Sequence, residues 1–217
     1  MFISSTPCVR GSVRSLSVHS LSRQLGTRYF VQSKHQSRVR LRTCVIPTGP
    51  GSLQRTVWCM ELQVGDAAPD FQMPTDQGGQ VSLKDFRGRP VVLYFYPKAN
   101  TPGCTTQACD LRDNIEDLNK VDAVVIGVSR DPVADLAKFR KDHGLNFYLA
   151  SDADGSVTEA YGVWKLRKMM GREFMGIERS TFIIQDGVIR KLWRGVKAPE
   201  HIAWVKRSLE EMKAGAK

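Results

Sequence analysis

From Val91 to Tyr96 the chain reads Val-Val-Leu-Tyr-Phe-Tyr, an unbroken apolar and aromatic run stopped by Pro97. Such a run, rich in β-branched and aromatic residues and without polar alternation, predicts a central strand buried on both faces. Ala123 to Val128 repeats the pattern and predicts a second buried strand. Between them, Cys104 to Leu118 carries helical spacing. Asp131-Pro132 opens the next helix, because Pro suits a first turn and Asp caps one. That helix runs to about Asp142 and stops at His143-Gly144. Phe147 to Ala150 reads as a short strand and Gly155 to Tyr161 as a short helix. Arg179 to Ile184 and Val188 to Trp193 flank Asp186-Gly187, the signature of a hairpin. Glu200 to Met212 is a closing helix. Upstream, Phe71–Met73 and Val81–Leu83 read as short strands among the turn-rich stretches Asp66–Phe71 and Asp76–Gly79.

The order is strand, helix, strand, helix, strand, short helix, hairpin, helix. Early alternation followed by a late hairpin predicts an α/β protein with a mixed central sheet and helices on both faces. That is the plan of a thioredoxin-like fold with insertions. No internal repeat is visible. No apolar run approaches the roughly 18 to 20 residues of a membrane-spanning helix, so no membrane span is expected.

Charge changes the picture at one end. The chain has 217 residues, 32 of them basic and 22 acidic, for a net charge of +10. Residues 1–60 contain no Asp or Glu, nine Lys or Arg and ten Ser, so the remainder holds 23 basic against 22 acidic residues and is nearly neutral. An Arg-rich, Ser-rich, acid-free segment has the composition of an organellar transit peptide. We therefore expect 1–60 to be a disordered leader that is removed, and 61–217 to be the folded domain. Two other readings compete, a basic nucleic-acid-binding arm and upstream sequence ahead of a true start at Met60. The arm is disfavoured because the segment has no aromatic interleaving and no dense basic block, and no nucleic-acid partner is expected. No clean apolar core near Met1 supports a secretory signal.

Three cysteines, Cys8, Cys44 and Cys59, go with the leader, leaving Cys104 and Cys109 in the domain. Cys104 lies just beyond a strand, Pro97 and a short loop, where a helix begins. A thiol there faces unpaired backbone N–H groups and the positive end of the helix dipole, which favour thiolate. Thr101, three residues earlier, is placed to donate its hydroxyl to that thiolate or to a substrate oxygen. The site suits thiolate nucleophilic chemistry. The plainer alternatives are that Cys104 is a small buried hydrophobe and Cys109 a core-facing helix residue. In an intact helix, residues five apart have Cα atoms roughly 8 to 9 Å from each other, beyond the limit of about 7 Å for a disulfide. If the two cysteines bond, the first turn or two of the helix must unwind. Zinc is disfavoured, since only His143 and His201 could join the pair and no ligand spacing is present. A Cys-x-x-Cys dithiol is absent too. Arg179 begins a predicted buried strand, where a charge needs a partner; an edge ion pair with Glu178 or another carboxylate is the plain reading.

The stretch Pro97-x-x-x-Thr101-x-x-Cys104 resembles the active-site signature of peroxiredoxins. Its extended form, Tyr94-Phe-Tyr-Pro97 followed by Thr101-Pro-Gly-Cys104-Thr-x-Gln-Ala-Cys109, resembles the Q type, also called the bacterioferritin comigratory protein type. The resemblance continues through Gly127-Val-Ser129, Ser151-Asp152, Tyr161-Gly-Val-Trp164 and Arg179-Ser-Thr-Phe-Ile-Ile184, and so covers nearly all of 61–217. It implies a thioredoxin-dependent peroxidase acting on hydrogen peroxide and organic hydroperoxides. Cys104 would be the peroxidatic Cys and Cys109 the resolving Cys, joined in an intramolecular disulfide that thioredoxin or a similar dithiol protein reduces. Pro97 would shield the thiolate from bulk water, Thr101 would hydrogen-bond peroxide and thiolate, and Arg179 would supply a cation to both. No metal or organic cofactor is implied. A resolving Cys in the same chain favours a monomer. An organelle-targeted member of this type points to the chloroplast, with the mitochondrion as the alternative. A redox-responsive binding protein or holdase using the same pair is the competing function. The basic segment Lys165 to Arg172 departs from the commonest members.

Overall fold

The structure is a computed structural model; it describes residues 61–169 and 171–215, together with the backbone of two strands at 41–46 and 55–60. Those two, β1 (Leu41–Ile46) and β2 (Arg55–Met60), pair antiparallel within the segment expected to be a leader. The rest of that expectation lies outside the described residues.

The two apolar runs become adjacent strands. β5 (Val91–Phe95) and β6 (Val124–Ser129) are buried at every position and pair in parallel. Around them a five-stranded sheet has the order β11-β10-β5-β6-β7, with β7 at Tyr148–Ser151, β10 at Ser180–Gln185 and β11 at Val188–Arg194. β10 runs antiparallel to both β5 and β11, so the sheet is mixed, as expected. Asp186 (φ 53°) and Gly187 (φ 73°) close the β10–β11 hairpin, both in the left-handed region that a two-residue turn of this hand requires.

Because side chains alternate along a strand, β5 feeds two cores. Leu93 and Phe95 point into one, with Phe71, Ile126, Val128, Tyr161 and Phe182. Val92, Tyr94 and Tyr96 point into the other, with Leu111, Leu136, Phe139, Val205 and Leu209. The second core is roofed by α1 (Pro102–Asp113), α3 (Val133–His143) and α5 (Ala198–Gly215). The first is covered by α4 (Ser156–Ala160) and by β3 (Gln72–Pro74) and β4 (Gln80–Ser82), which leads into a short 3-10 turn at Leu83–Phe86. No helix among the described residues is long and apolar enough to cross a membrane.

Three expectations need correction. The helix predicted from Cys104 to Leu118 is two helices, α1 and α2 (Ile115–Asn119). They break at Asn114, whose side-chain amide donates to the carbonyl of Asp110 and so takes a backbone acceptor from the helix ladder. Asp131 does not cap α3. Pro132 occupies the cap position without a side-chain hydrogen bond, and the Asp131 carboxylate is engaged elsewhere. Finally, the basic segment forms a hairpin that the pattern did not announce, β8 (Trp164–Met169) with β9 (Arg172–Ile177). Its base is tied to the domain where the Arg130 guanidinium lies 3.6 Å from the Trp164 ring centroid.

Candidate active site

The site is built where β5, α1 and β10 converge. β5 ends at Phe95, and the Tyr96 amide still donates to the carbonyl of Val128 on β6, at 3.1 Å. The chain then leaves the sheet at Pro97, which is exposed, crosses a short loop and starts α1 at Pro102. The Thr101 carbonyl accepts from the amides of Cys104 (3.0 Å) and Thr105 (2.8 Å), which closes the first turn. Cys104 therefore sits in that turn, as expected, and is only 2% exposed. Its neighbours in the core include Tyr94, Tyr96 and Ala108.

Arg179 lies one residue before β10 begins. Its Nη2 donates to the Cys104 Sγ at 3.2 Å, and its Nη1 donates to the Oε1 of Gln107. A guanidinium donates in a planar fork, so one residue touches both the sulfur and a side chain one helical turn further on. The alternative pairing with Glu178 is not used, because Glu178 is bound by Lys165 at 2.8 Å. Gly103 is the open side of this arrangement: a Cβ there would stand 3.5 Å from Arg179 Nη2.

Thr101 departs from expectation. Its hydroxyl donates to the Lys98 carbonyl at 3.0 Å rather than to sulfur. The loop turns sharply at Asn100 (φ 57°), and that turn brings the Lys98 carbonyl within reach of the hydroxyl. Cys109 is half-buried in the same unbroken helix as Cys104, and both thiols are free. Two residues escaped the sequence reading. Gln107 was visible as the residue one turn from Cys104 on the same helix face, and it is fully buried with its Nε2 unpartnered. Asp131 was visible only as a cap, and its contact with the loop at Ala99 joins positions 32 apart in sequence.

Behind the thiol, burial controls the ionisable groups. Desolvation, then the neighbouring Tyr96 and Cys104, holds the Tyr94 hydroxyl well above the usual phenol range. His201 on α5 is pushed down to about 4, chiefly by burial and secondarily by the Arg179 charge. Its Nε2 lies 2.8 Å from the Thr181 hydroxyl. The sulfur is thus surrounded by neutral groups, with one cation in contact. The Arg179 cation is placed to stabilise negative charge that develops beside the sulfur during reaction. Among the described residues no group of acidic, Cys or His side chains could hold a metal ion.

Comparison with known proteins gives the family. Residues 64–192 match the AhpC/TSA family model. This chain belongs to the AhpC/TSA family. Within it the relatives are peroxiredoxins of the Bcp or Q type, and the chain is accordingly an enzyme, a peroxidase. Peroxiredoxin Bcp of Bacillus subtilis is 47% identical over 154 residues, 70% of this chain and 98% of that one. Its counterpart in Escherichia coli is 45% identical over 150 residues, 67% and 96% of the two chains. Among solved structures, a Xanthomonas campestris bacterioferritin comigratory protein studied for alkyl peroxide reduction is 37% identical (TM-score 0.64; 72% and 98% covered). A mutant of the Xylella fastidiosa Q-type peroxiredoxin is 34% identical (TM-score 0.65; 72% and 99% covered). The peroxiredoxin fold is thus the thioredoxin-like one expected from the strand order.

Proposed function

We propose that Cys104 is the peroxidatic thiolate, that Cys109 resolves it, and that a thioredoxin-like dithiol protein returns the electrons. The observation that carries this reading is the 3.2 Å contact from Arg179 to the Cys104 sulfur in the first turn of α1. The thiolate attacks one peroxide oxygen, an S–O bond forms and the O–O bond breaks. The departing oxygen takes a proton as water or an alcohol, leaving Cys104 as sulfenic acid. The Arg179 fork stabilises negative charge on the sulfur first and on the departing oxygen afterwards. Cys109 then forms an S–S bond to Cys104 and hydroxide leaves as water. Two electrons and two protons from the dithiol partner restore both thiols. Pro97 and the buried setting limit water at the sulfur, and Thr101 is available to a bound peroxide once its hydroxyl turns from Lys98. Substrates are hydrogen peroxide and organic hydroperoxides, in keeping with the alkyl peroxide reduction of the Xanthomonas relative. An intramolecular disulfide needs no second subunit, so the working form is a monomer.

The acid-free, Ser-rich composition of 1–60, and its position outside the matched residues, support removal of this segment and an organellar address, the chloroplast with the mitochondrion as the alternative. The catalytic test is Cys104→Ser, which should abolish peroxide turnover because an alcohol is far less acidic than a thiol. Turnover near wild type would overturn the assignment. A fluorescent fusion of residues 1–60 tests the address, and cytosolic fluorescence would count against it.

A further inference from the structure

We propose that Asp131 is a positioning residue for the peroxidase reaction, holding the loop that sets the Cys104 turn against Arg179. This rests on the reading of Cys104 as nucleophile.

Asp131 is held at three points. Its amide donates to Ser129 Oγ at 3.2 Å, its carbonyl accepts from Ser151 Oγ at 2.6 Å, and its Oδ2 accepts from Ser129 Oγ at 2.9 Å. Ser129 and Ser151 are the final residues of β6 and β7, and both are buried. The carboxylate is therefore fixed to the carboxyl ends of two neighbouring strands. With the same Oδ2 it accepts from the backbone amide of Ala99, at 2.7 Å.

Ala99 is the midpoint of the loop between β5 and α1, and it is 7% exposed. The next residue, Asn100, has a left-handed backbone (φ 57°), and the one after it, Thr101, carries the carbonyl that closes the Cys104 turn. The loop has no regular ladder of its own. The Ala99 amide, held from the ends of β6 and β7, ties the loop that leads into α1 to the sheet. Arg179 arrives on a different strand, so the 3.2 Å approach of Nη2 to sulfur depends on two independent anchors, β10 for the cation and Asp131 for the thiol. A charge-assisted hydrogen bond to a backbone amide is suited to this, being short and directional. If α1 unwinds when the two cysteines bond, the tethered Ala99 is also the fixed end from which the helix re-forms.

Quenched-flow oxidation of the reduced full-length protein by hydrogen peroxide, read by intact mass and by peptide mapping of the oxidised cysteine, tests this. Asp131→Ala should slow Cys104 oxidation by about 10-fold to 100-fold, the range expected when a reacting group is misplaced by about 1 Å. Asp131→Asn keeps a carbonyl oxygen that can accept from both Ala99 and Ser129, so it should recover to within about threefold of wild type. A purely structural loss would lower stability without this split. Ser129→Ala, which loosens Asp131 but leaves its carboxylate in place, should fall between the two and serves if Asp131→Ala does not fold. Wild-type oxidation that does not map to Cys104 would sink the underlying reading. Oxidation that maps to Cys104 at equal rates in wild type, Asp131→Ala and Ser129→Ala would sink the role of Asp131 alone, as would an Asn variant no faster than Ala.

Discussion

A methyl group on Gly127 would land 2.7 Å from both the ζ carbon and the hydroxyl of Tyr94, a ring in the same core cluster as Cys104. The clash is with a fully buried aromatic, which cannot swing away into solvent. Gly127→Ala should cost about 1 to 3 kcal/mol, the usual range for overpacking, and should slow Cys104 oxidation by shifting the core cluster it belongs to. Urea unfolding with the oxidation rate measures both, and an unchanged variant would mean that the ring has room. Arg179→Lys replaces a fork by a point charge that cannot bridge Sγ and Gln107 together. Oxidation should fall about 100-fold, the scale of losing one donor at developing charge, while Tm changes little. His201 adds a pH dependence. Its folded value of about 4 lies below the unfolded value of about 6.5. Between the two the unfolded chain binds the extra proton, so stability is fully present above pH 6.5 and declines as pH falls toward 4. The loss is about 3 kcal/mol, at roughly 1.36 kcal/mol per pH unit. His201→Gln should flatten that limb of an unfolding-against-pH curve; an equally steep limb would assign it to other groups.

Elements were legible where burial was uniform and obscure where it was not. β5 and β6 could be read because both faces are buried and every position is apolar. The β10–β11 hairpin could be read because Asp186-Gly187 leaves no other turn geometry. The β8–β9 hairpin was hidden because Lys165, Arg167 and Lys168 interleave with exposed Leu166, so that only its base, at Trp164 and Ile177, packs on the core. At the site, local spacing placed Cys104 at a helix start and Cys109 in the same helix. The Arg179 contact was anticipated from the family likeness alone; the residue pattern gave a charge in need of a partner, with Glu178 or another carboxylate as the plain reading. The Asp131 contact depends on tertiary approach that no local pattern encodes. The intact α1 carries its own prediction. With both cysteines in one helix their Cα atoms stand roughly 8 to 9 Å apart, too far to bond. If oxidation joins the two cysteines, residues 102–109 must leave helical geometry, whereas the last turn is tied down where Arg112 Nη1 donates to the His143 carbonyl at 2.6 Å. Amide exchange should accelerate over 102–109 in the oxidised protein and stay slow beyond Arg112. Equal protection in both redox states would exclude the unwinding.

At the scale of the whole chain, the change in charge and the start of the family match fall at nearly the same place. The family match begins at residue 64, and acidic residues first occur at Glu61. The Bacillus subtilis relative is covered over 98% of its length by 70% of this chain, so a complete peroxiredoxin fits into the part that remains when 1–60 is set aside. If stability resides in the matched residues, removing 1–60 takes away nine positive charges and none of those residues. A chain of residues 61–217 should then unfold at a Tm within about 2 °C of the full chain, since a shift of 2 to 4 °C corresponds to about 1 kcal/mol in a domain of this size. Its Cys104 oxidation rate should be unchanged, and its retention on a cation exchanger should fall sharply as net charge drops from +10 to +1. The β1–β2 hairpin makes the experiment decisive. If that hairpin contributes to the domain, the truncated chain will lose several degrees of Tm. The mature boundary would then have to lie upstream of Leu41, which N-terminal sequencing of the native protein would show.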